Sequence, residues 1–143
     1  MNDKPAVNDG PAFDPVGAGW EMVKPIGFGE LIGPLWRQGD GRFGFVVAKK
    51  HLNFADIVHG GMLATFADQA MGMTAQRATG RKPHATIELN IQFIGAVRLG
   101  DFVEAQCEVV RVTRAIVFMQ AKLVVCARIV ATTGGIWKIR GEA

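Results

Sequence analysis

Between residues 86 and 93 apolar and polar side chains alternate without a break: Thr86, Ile87, Glu88, Leu89, Asn90, Ile91, Gln92, Phe93. A period of two marks a strand with one face buried and the other polar. Upstream the spacing changes. Met62, Phe66, Ala70 and Met73 recur every three or four positions, which predicts one long helix over 61–78. Ala64, Ala67 and Ala75 lie between them and would let neighbouring elements pack closely; Gly80 is the expected stop. Alternation returns over 102–112, where Val103, Ala105, Cys107 and Val109 interleave with Glu104, Gln106 and Glu108. Two more strands fit 116–125 and 129–139, with a tight turn near Ala127-Arg128 and an expected bulge at Gly134-Gly135. Ahead of the helix, 30–36 and 42–49 read as a hairpin across Gln38-Gly39-Asp40-Gly41, whose Asp-Gly pair suits such a turn.

The order is therefore two strands, one long helix and four strands. One helix covers one face of a strongly bent antiparallel sheet, an α+β arrangement. The other face and the edges need a further partner, and a second copy of the chain is the simplest. Residues 13–29, with Trp20, Met22 and Ile26, are expected to form a short helical or irregular cover over one end of the core. Residues 1–12, rich in Pro, Asp, Asn and Gly, read as a mobile tail ahead of a single domain over 13–143.

A chain of 143 residues, 49% hydrophobic and 20% charged, fits one globular domain with its own core. The net charge of +3 is compatible with an anionic ligand. No Lys/Arg block of five or more appears, which argues against a nucleic-acid partner. No apolar run approaches the roughly 20 residues of a membrane span. The first residues lack the apolar core of a signal peptide, so a cytoplasmic protein is expected. Cys107 and Cys126 have no CxxC spacing, lie in strand-like runs and read as two buried free thiols.

Candidate chemistry gathers where the chain turns into the helix. The first turn of a helix has N–H groups without intrahelical partners, at the positive end of its dipole. The glycines of His59-Gly60-Gly61 let a ligand approach that backbone, so a polarised carbonyl oxygen could be held there; the plainer reading is an ordinary turn. Asp68 sits two turns further on, among Phe66, Ala67, Ala70 and Met71. Helix geometry returns it to within about 20° of the direction of Gly61, about 10 Å along the axis. Thr65 and Gly72 share that narrow strip. Such a carboxylate is a candidate general base or nucleophile, the alternative being an exposed helix residue. About 10 Å is too long for attack on a carbonyl held by Gly61 of the same chain, where contacts of about 3 Å are needed. A bridging water or a second copy's helix could close the gap.

His51, His59 and His84 lack metal-ligand spacing, so no metal is expected. His59 reads as shaping the turn and polarising a carbonyl. Asn53 either bonds to it and fixes its tautomer or is a simple turn residue. Thr86 opens the alternating strand on the polar face it shares with Glu88 and Asn90, residues placed to line a pocket or a seam between copies; β-propensity alone would also explain it. Arg77, Arg81 and Lys82 follow the helix end, either as a solvated loop or as an anion contact.

His51-Leu52-Asn53, a five-residue gap, His59-Gly60-Gly61, then Asp68 and Thr86 together resemble the hotdog-fold acyl-CoA thioesterases of the PaaI type, over about residues 28–139. Phe54 and Asp56 depart from the pattern, standing where many relatives carry Pro and Gly, which bears on the path of the loop. The resemblance implies a curved antiparallel sheet of about six strands around one central helix. It implies hydrolysis of an acyl-CoA to the free acid and coenzyme A, with no cofactor. The Gly61 N–H would hold the oxyanion, and Asp68 of a partner subunit would activate water or attack the carbonyl. Thr86 would orient the water, Asn53 and Gly60 would shape the substrate site, and Arg81 and Lys82 would meet the phosphates of coenzyme A. Self-association as a dimer or tetramer would place the site at the subunit interface. Phe54, Phe66, Met62 and Met73 suggest an apolar pocket for an aryl or medium-chain acyl group. A non-catalytic acyl-CoA binder on the same fold is one rival. A hotdog hydratase pairing Asp56 with His59 is another, which the glycines and Asp68 fit less well.

Overall fold

The alternating segments pair into one antiparallel sheet. In the computed structural model, which describes residues 12–141, the strands are β1 (Glu21–Met22), β2 (Trp36–Arg37), β3 (Phe43–Val46), β4 (His84–Phe93), β5 (Phe102–Val112), β6 (Ile116–Val125) and β7 (Arg128–Ile139). Their order across the sheet is β1-β2-β3-β5-β6-β7-β4. The long helix α2 (Gly60–Ala78) lies between β3 and β4 in the chain and packs on β4, β5, β6 and β7. This is the hotdog fold, a sheet wrapped around one central helix.

The helix reads as its sequence predicts. Met62, Leu63, Phe66, Ala67, Ala70, Met71 and Ala75 are its buried residues, spaced to form one stripe against the sheet. Phe66 meets Phe45 edge to face at 4.8 Å between centroids. Burial of large side chains such as these contributes about 1.5–3 kcal/mol each. Gly80, at φ 70, stops the helix, and the Arg81 N–H returns to the Gln76 carbonyl at 2.7 Å. No helix is long and apolar enough to cross a membrane among the described residues.

The N-terminal third departs from expectation. The strand anticipated over 30–36 is a short helix, α1 (Phe28–Ile32), followed by a β2 of two residues. Pro34 has no N–H for a ladder, and the Ile32 carbonyl is taken by His51 Nε2 at 2.6 Å. The hairpin turn at 38–41 is present, with the Gly41 N–H on the Gln38 carbonyl. β3 ends at Val46 because a tight turn (Lys49–His51) follows, in which the Ala48 N–H donates to His51 Nδ1. Within 13–29 Trp20 is buried edge-on to Phe102 at 4.9 Å, Phe13 stacks on the same ring at 4.1 Å and Val23 packs against the core, while Met22 and Ile26 are exposed. The tail expected over 1–12 lies, apart from Ala12, outside the described residues.

Three further expectations change at the C-terminal strands. The β6–β7 turn is Cys126-Ala127, both at positive φ (46° and 65°), with Val125 opposite Arg128. Cys126 is therefore exposed in a turn, and only Cys107 is partly covered in a strand; both thiols are free. The Gly134-Gly135 pair is not a bulge, for it pairs in register with both β6 and β4. Its role is close packing: a Cβ on Gly135 would stand 2.5 Å from the Trp137 ring and 2.7 Å from the Glu88 carbonyl oxygen. The register instead slips in β4 between Thr86 and Glu88, between Val109 and Arg111 of β5, and where β6 and β7 pair around Leu123 and Val124.

Among the described residues β4 is an edge strand that pairs only with β7. Its apolar face, expected to be buried, is only half covered: Ile87 and Phe93 are each 56% exposed.

Candidate active site

The slip in β4 decides what its first residues face. Thr86 stands opposite Trp137, and Glu88 opposite Ile136, so Ile87 is one residue surplus to the ladder. Side chains paired across an antiparallel ladder share a face. Trp137 is buried in the core, so Thr86 turns inward, toward α2. Glu88 and Asn90 line the outer surface of the sheet instead. Simple alternation had placed all three on one polar face; the bulge separates them. Bulges re-aim side chains in this way.

Turned inward, the Thr86 hydroxyl donates to Asp68 Oδ1 at 2.7 Å. Asp68 lies half-buried on α2, at the mouth of a pocket of about 190 Å³ lined also by Gly72, Met73, Gln76, His84 and Trp137. One carboxylate oxygen is thereby fixed, and Oδ2 is left to accept a proton or a water. A carboxylate oriented by a hydroxyl beside an apolar wall can act as a general base.

The His-Gly-Gly turn is built differently from its simplest reading. The Gly61 N–H, expected to be without a partner, donates to His59 Nδ1 at 2.8 Å, so His59 caps the helix. That bond leaves the neutral ring's proton on Nε2, at an exposed position. The Met62 N–H bonds the His59 carbonyl at 2.9 Å. The Gly60 N–H has no hydrogen-bond partner among the described residues. A Cβ on Gly60 would stand 3.0 Å from the Phe93 ring, so the turn packs against the far end of β4. Free donors at this turn are thus the Gly60 N–H and the His59 Nε2–H.

Asn53 does not reach His59. Its Oδ1 accepts from the Ala55 N–H at 2.9 Å and the Ile57 N–H at 3.4 Å, which makes it the organiser of the loop. Asp56 takes φ 58 within that loop, a conformation glycine adopts at less cost. No hydrogen bond joins its carboxylate to His59 among the described residues. Phe54 projects fully into solvent, and Met62 and Phe66 belong to the buried core, so of the four expected pocket walls only Met73 lines the pocket at Asp68. Arg81 lines a second cleft, with Arg37 and Arg77, while Lys82 is exposed outside both.

The sequence reading passed over His51 as a site residue. It is buried, Nδ1 accepts from Ala48, Nε2 donates to Ile32, and its carbonyl takes the His59 N–H at 2.8 Å. Burial, with the neighbouring Lys50 charge, holds its pKa below the usual histidine range against the opposing bond to Ile32. Trp137 was also missed, because its place beside Asp68 follows from strand register and not from any local motif.

The family model described as the Thioesterase superfamily matches residues 55–136, a span that contains the His-Gly-Gly turn, Asp68 and Thr86. Among curated proteins, "Putative esterase PA0474" of Pseudomonas aeruginosa is 31% identical over 115 residues, 77% of this chain and 86% of that one. Among solved structures, the conserved protein PA5202 of Pseudomonas aeruginosa superposes with a TM-score of 0.73 at 26% identity, over 82% of this chain and 94% of that one. The BH2602 protein of Bacillus halodurans, solved with CoA, gives 0.64 at 25% identity, over 71% and 69%. With a family model spanning more than half its length and a relative this similar, the chain belongs to the Thioesterase superfamily.

Proposed function

We propose that this protein is a PaaI-type acyl-CoA thioesterase, hydrolysing an aryl- or medium-chain acyl-CoA to the free acid and coenzyme A. The observation that carries the reading is the Thr86–Asp68 hydrogen bond of 2.7 Å, at a pocket between the central helix and the ends of β4 and β7. The CoA held by the Bacillus halodurans protein supports the choice of thioester.

In this account Asp68 Oδ2 takes a proton from a water whose oxygen attacks the thioester carbonyl. Thr86 fixes the carboxylate and, through it, the water. The carbonyl oxygen gains negative charge and is held at a His-Gly-Gly turn. There the Gly61 N–H exchanges its bond to His59 Nδ1 for the substrate oxygen, beside the Gly60 N–H and the His59 Nε2–H. Collapse breaks the C–S bond, and the proton taken by Asp68 passes to the leaving sulfur. Asn53 shapes the loop that carries the turn. Arg81 lines the cleft beside the pocket, on the side from which coenzyme A phosphates would be met, and Lys82 lies outside it.

Seven residues of helix put Gly61 and Asp68 about 10 Å apart in one chain, so the turn that serves Asp68 belongs to a second copy. The free edge and half-exposed apolar face of β4 support self-association, since a long uncovered edge strand is a template for pairing.

Release of thiol from a panel of aryl and straight-chain acyl-CoAs tests the reading, with wild type and Asp68→Asn side by side. Hydrolysis by the wild type that collapses in Asp68→Asn is the expected result. One observation favours the non-catalytic binder: the Gly61 N–H is already occupied. Tight acyl-CoA binding with no thiol release from any member would establish that rival.

A further inference from the structure

Three arginines meet where α2 ends. Arg37 of β2 and Arg77 and Arg81 at the helix terminus line an open cleft of about 670 Å³, bounded on one side by Glu21. Arg37 is paired with Glu21 at 3.3 Å, both of them exposed. Arg77 and Arg81 have no carboxylate partner among the described residues. Three cations against one anion leave the cleft at +2, more than the roughly half charge of opposite sign at the helix terminus. Arg81 is held at φ 64, directly after Gly80 at φ 70, by its N–H bond to the Gln76 carbonyl. A non-glycine residue in that region costs on the order of 1 kcal/mol.

The cleft adjoins the Asp68 pocket. Met73 and Gln76 line both. From Asp68 to Arg77 is nine residues of helix, about 13 Å along the axis. An extended molecule whose reacting carbon lay at Asp68 would run over Met73 and Gln76 and end among the guanidinium groups. Those groups offer paired N–H donors suited to a phosphate or a carboxylate.

We propose that this cleft, formed by Arg37, Arg77 and Arg81, binds the oxyanionic far end of the thioester substrate. The proposal rests on the thioesterase reading and deepens it by naming a subsite that includes Arg81 and excludes Lys82. Two sources share the chemistry: the phosphates of coenzyme A, or a carboxylate at the end of the acyl chain.

The test compares wild type with Arg77→Gln/Arg81→Gln on three thioesters of one acyl length. These are the acyl-CoA, the acyl-N-acetylcysteamine, which has no phosphate, and an N-acetylcysteamine thioester whose acyl chain ends in a carboxylate. Loss of charge-assisted bonds is expected to cost about tenfold or more. If the phosphates bind here, the preference in kcat/KM for acyl-CoA over the N-acetylcysteamine thioester falls by about that factor. If a carboxylate binds here, the preference for the carboxylate-ended thioester over its plain counterpart falls instead. Unchanged preferences on both axes overturn the proposal. Titration calorimetry with coenzyme A separates the two readings. Should wild type hydrolyse no thioester yet bind coenzyme A at least tenfold more tightly than the double variant, the thioesterase reading fails and the subsite stands. Where wild type hydrolyses no thioester, equal coenzyme A binding by the two proteins, or none by either, overturns the subsite.

Discussion

Thr86 and Asp68 lie 18 positions apart in the chain, on a strand and a helix, and meet through a hydrogen bond of 2.7 Å. Replacing Asp68 with Asn keeps the size and removes the charge. Turnover is expected to fall by about 10² to 10⁴, with far-UV circular dichroism and Tm close to wild type. Thr86→Ala leaves the carboxylate but frees its orientation, and about a tenfold loss of kcat is expected. An Asp68→Asn enzyme with wild-type turnover would remove Asp68 from the chemistry.

His51 predicts how stability responds to acid. Its folded-state pKa is lowered, so between that value and the ordinary value of about 6.5 the unfolded chain holds the extra proton. Its contribution is therefore complete above about pH 6.5 and declines as the pH falls through that window. Tm should drop between pH 7.5 and pH 5.5 in wild type and drop less in His51→Gln. His51→Phe should lose about 1–3 kcal/mol at pH 7.5, because the Ala48 N–H and Ile32 carbonyl lose their partner. A wild-type Tm flat over that range would contradict the burial argument.

Gly135 carries a packing prediction. Its missing Cβ would press on the Trp137 ring and on the Glu88 backbone, which cannot swing away. Gly135→Ala should lower stability by about 1–3 kcal/mol in urea unfolding, with the m-value unchanged. Gly39, in the β2–β3 turn, has nothing within 4 Å of a built Cβ, and Gly39→Ala should stay within about 0.5 kcal/mol.

The two thiols should report their positions directly. Burial pushes Cys107 up to about 11, against a bond from Thr74, so at pH 8 only about one part in a thousand is thiolate. Cys126 sits exposed in the turn. A chromogenic disulfide reagent should titrate one thiol quickly in the native protein and the second only on unfolding. Cys126→Ser should abolish the fast phase; persistence of that phase would mean that Cys107 is open to solvent.

What could be read from the chain follows element length. The helix and the four C-terminal strands each run ten residues or more, long enough for a period of 3.6 or 2 to show above the noise of single positions. β1 and β2 have two residues each and α1 has five, too few to carry any period. Apolar residues at 31, 32, 35 and 36 therefore suggested a strand where the chain makes a turn of helix and a proline corner. The chemistry divides in the same way. Asp68 and Thr86 were legible as types at a spacing. Their contact was not, because it depends on how β4 pairs with β7, and pairing belongs to two segments at once. Arg37 was invisible as a companion of Arg77 and Arg81 for that reason also.

The surplus residue in β4 makes the site a matter of parity. Beyond Glu88 the strand keeps regular step with β7, so each residue's face is set by whether its distance from that frame is odd or even. Ile87 changes the count by one and inverts the answer for the residues before it, His84, Ala85 and Thr86. Removing one residue there would preserve the faces from Glu88 onward yet send the Thr86 hydroxyl, with His84, to the opposite surface, away from Asp68. The position is guarded by arithmetic as much as by chemistry, and a one-residue length change would do more damage here than many changes of identity.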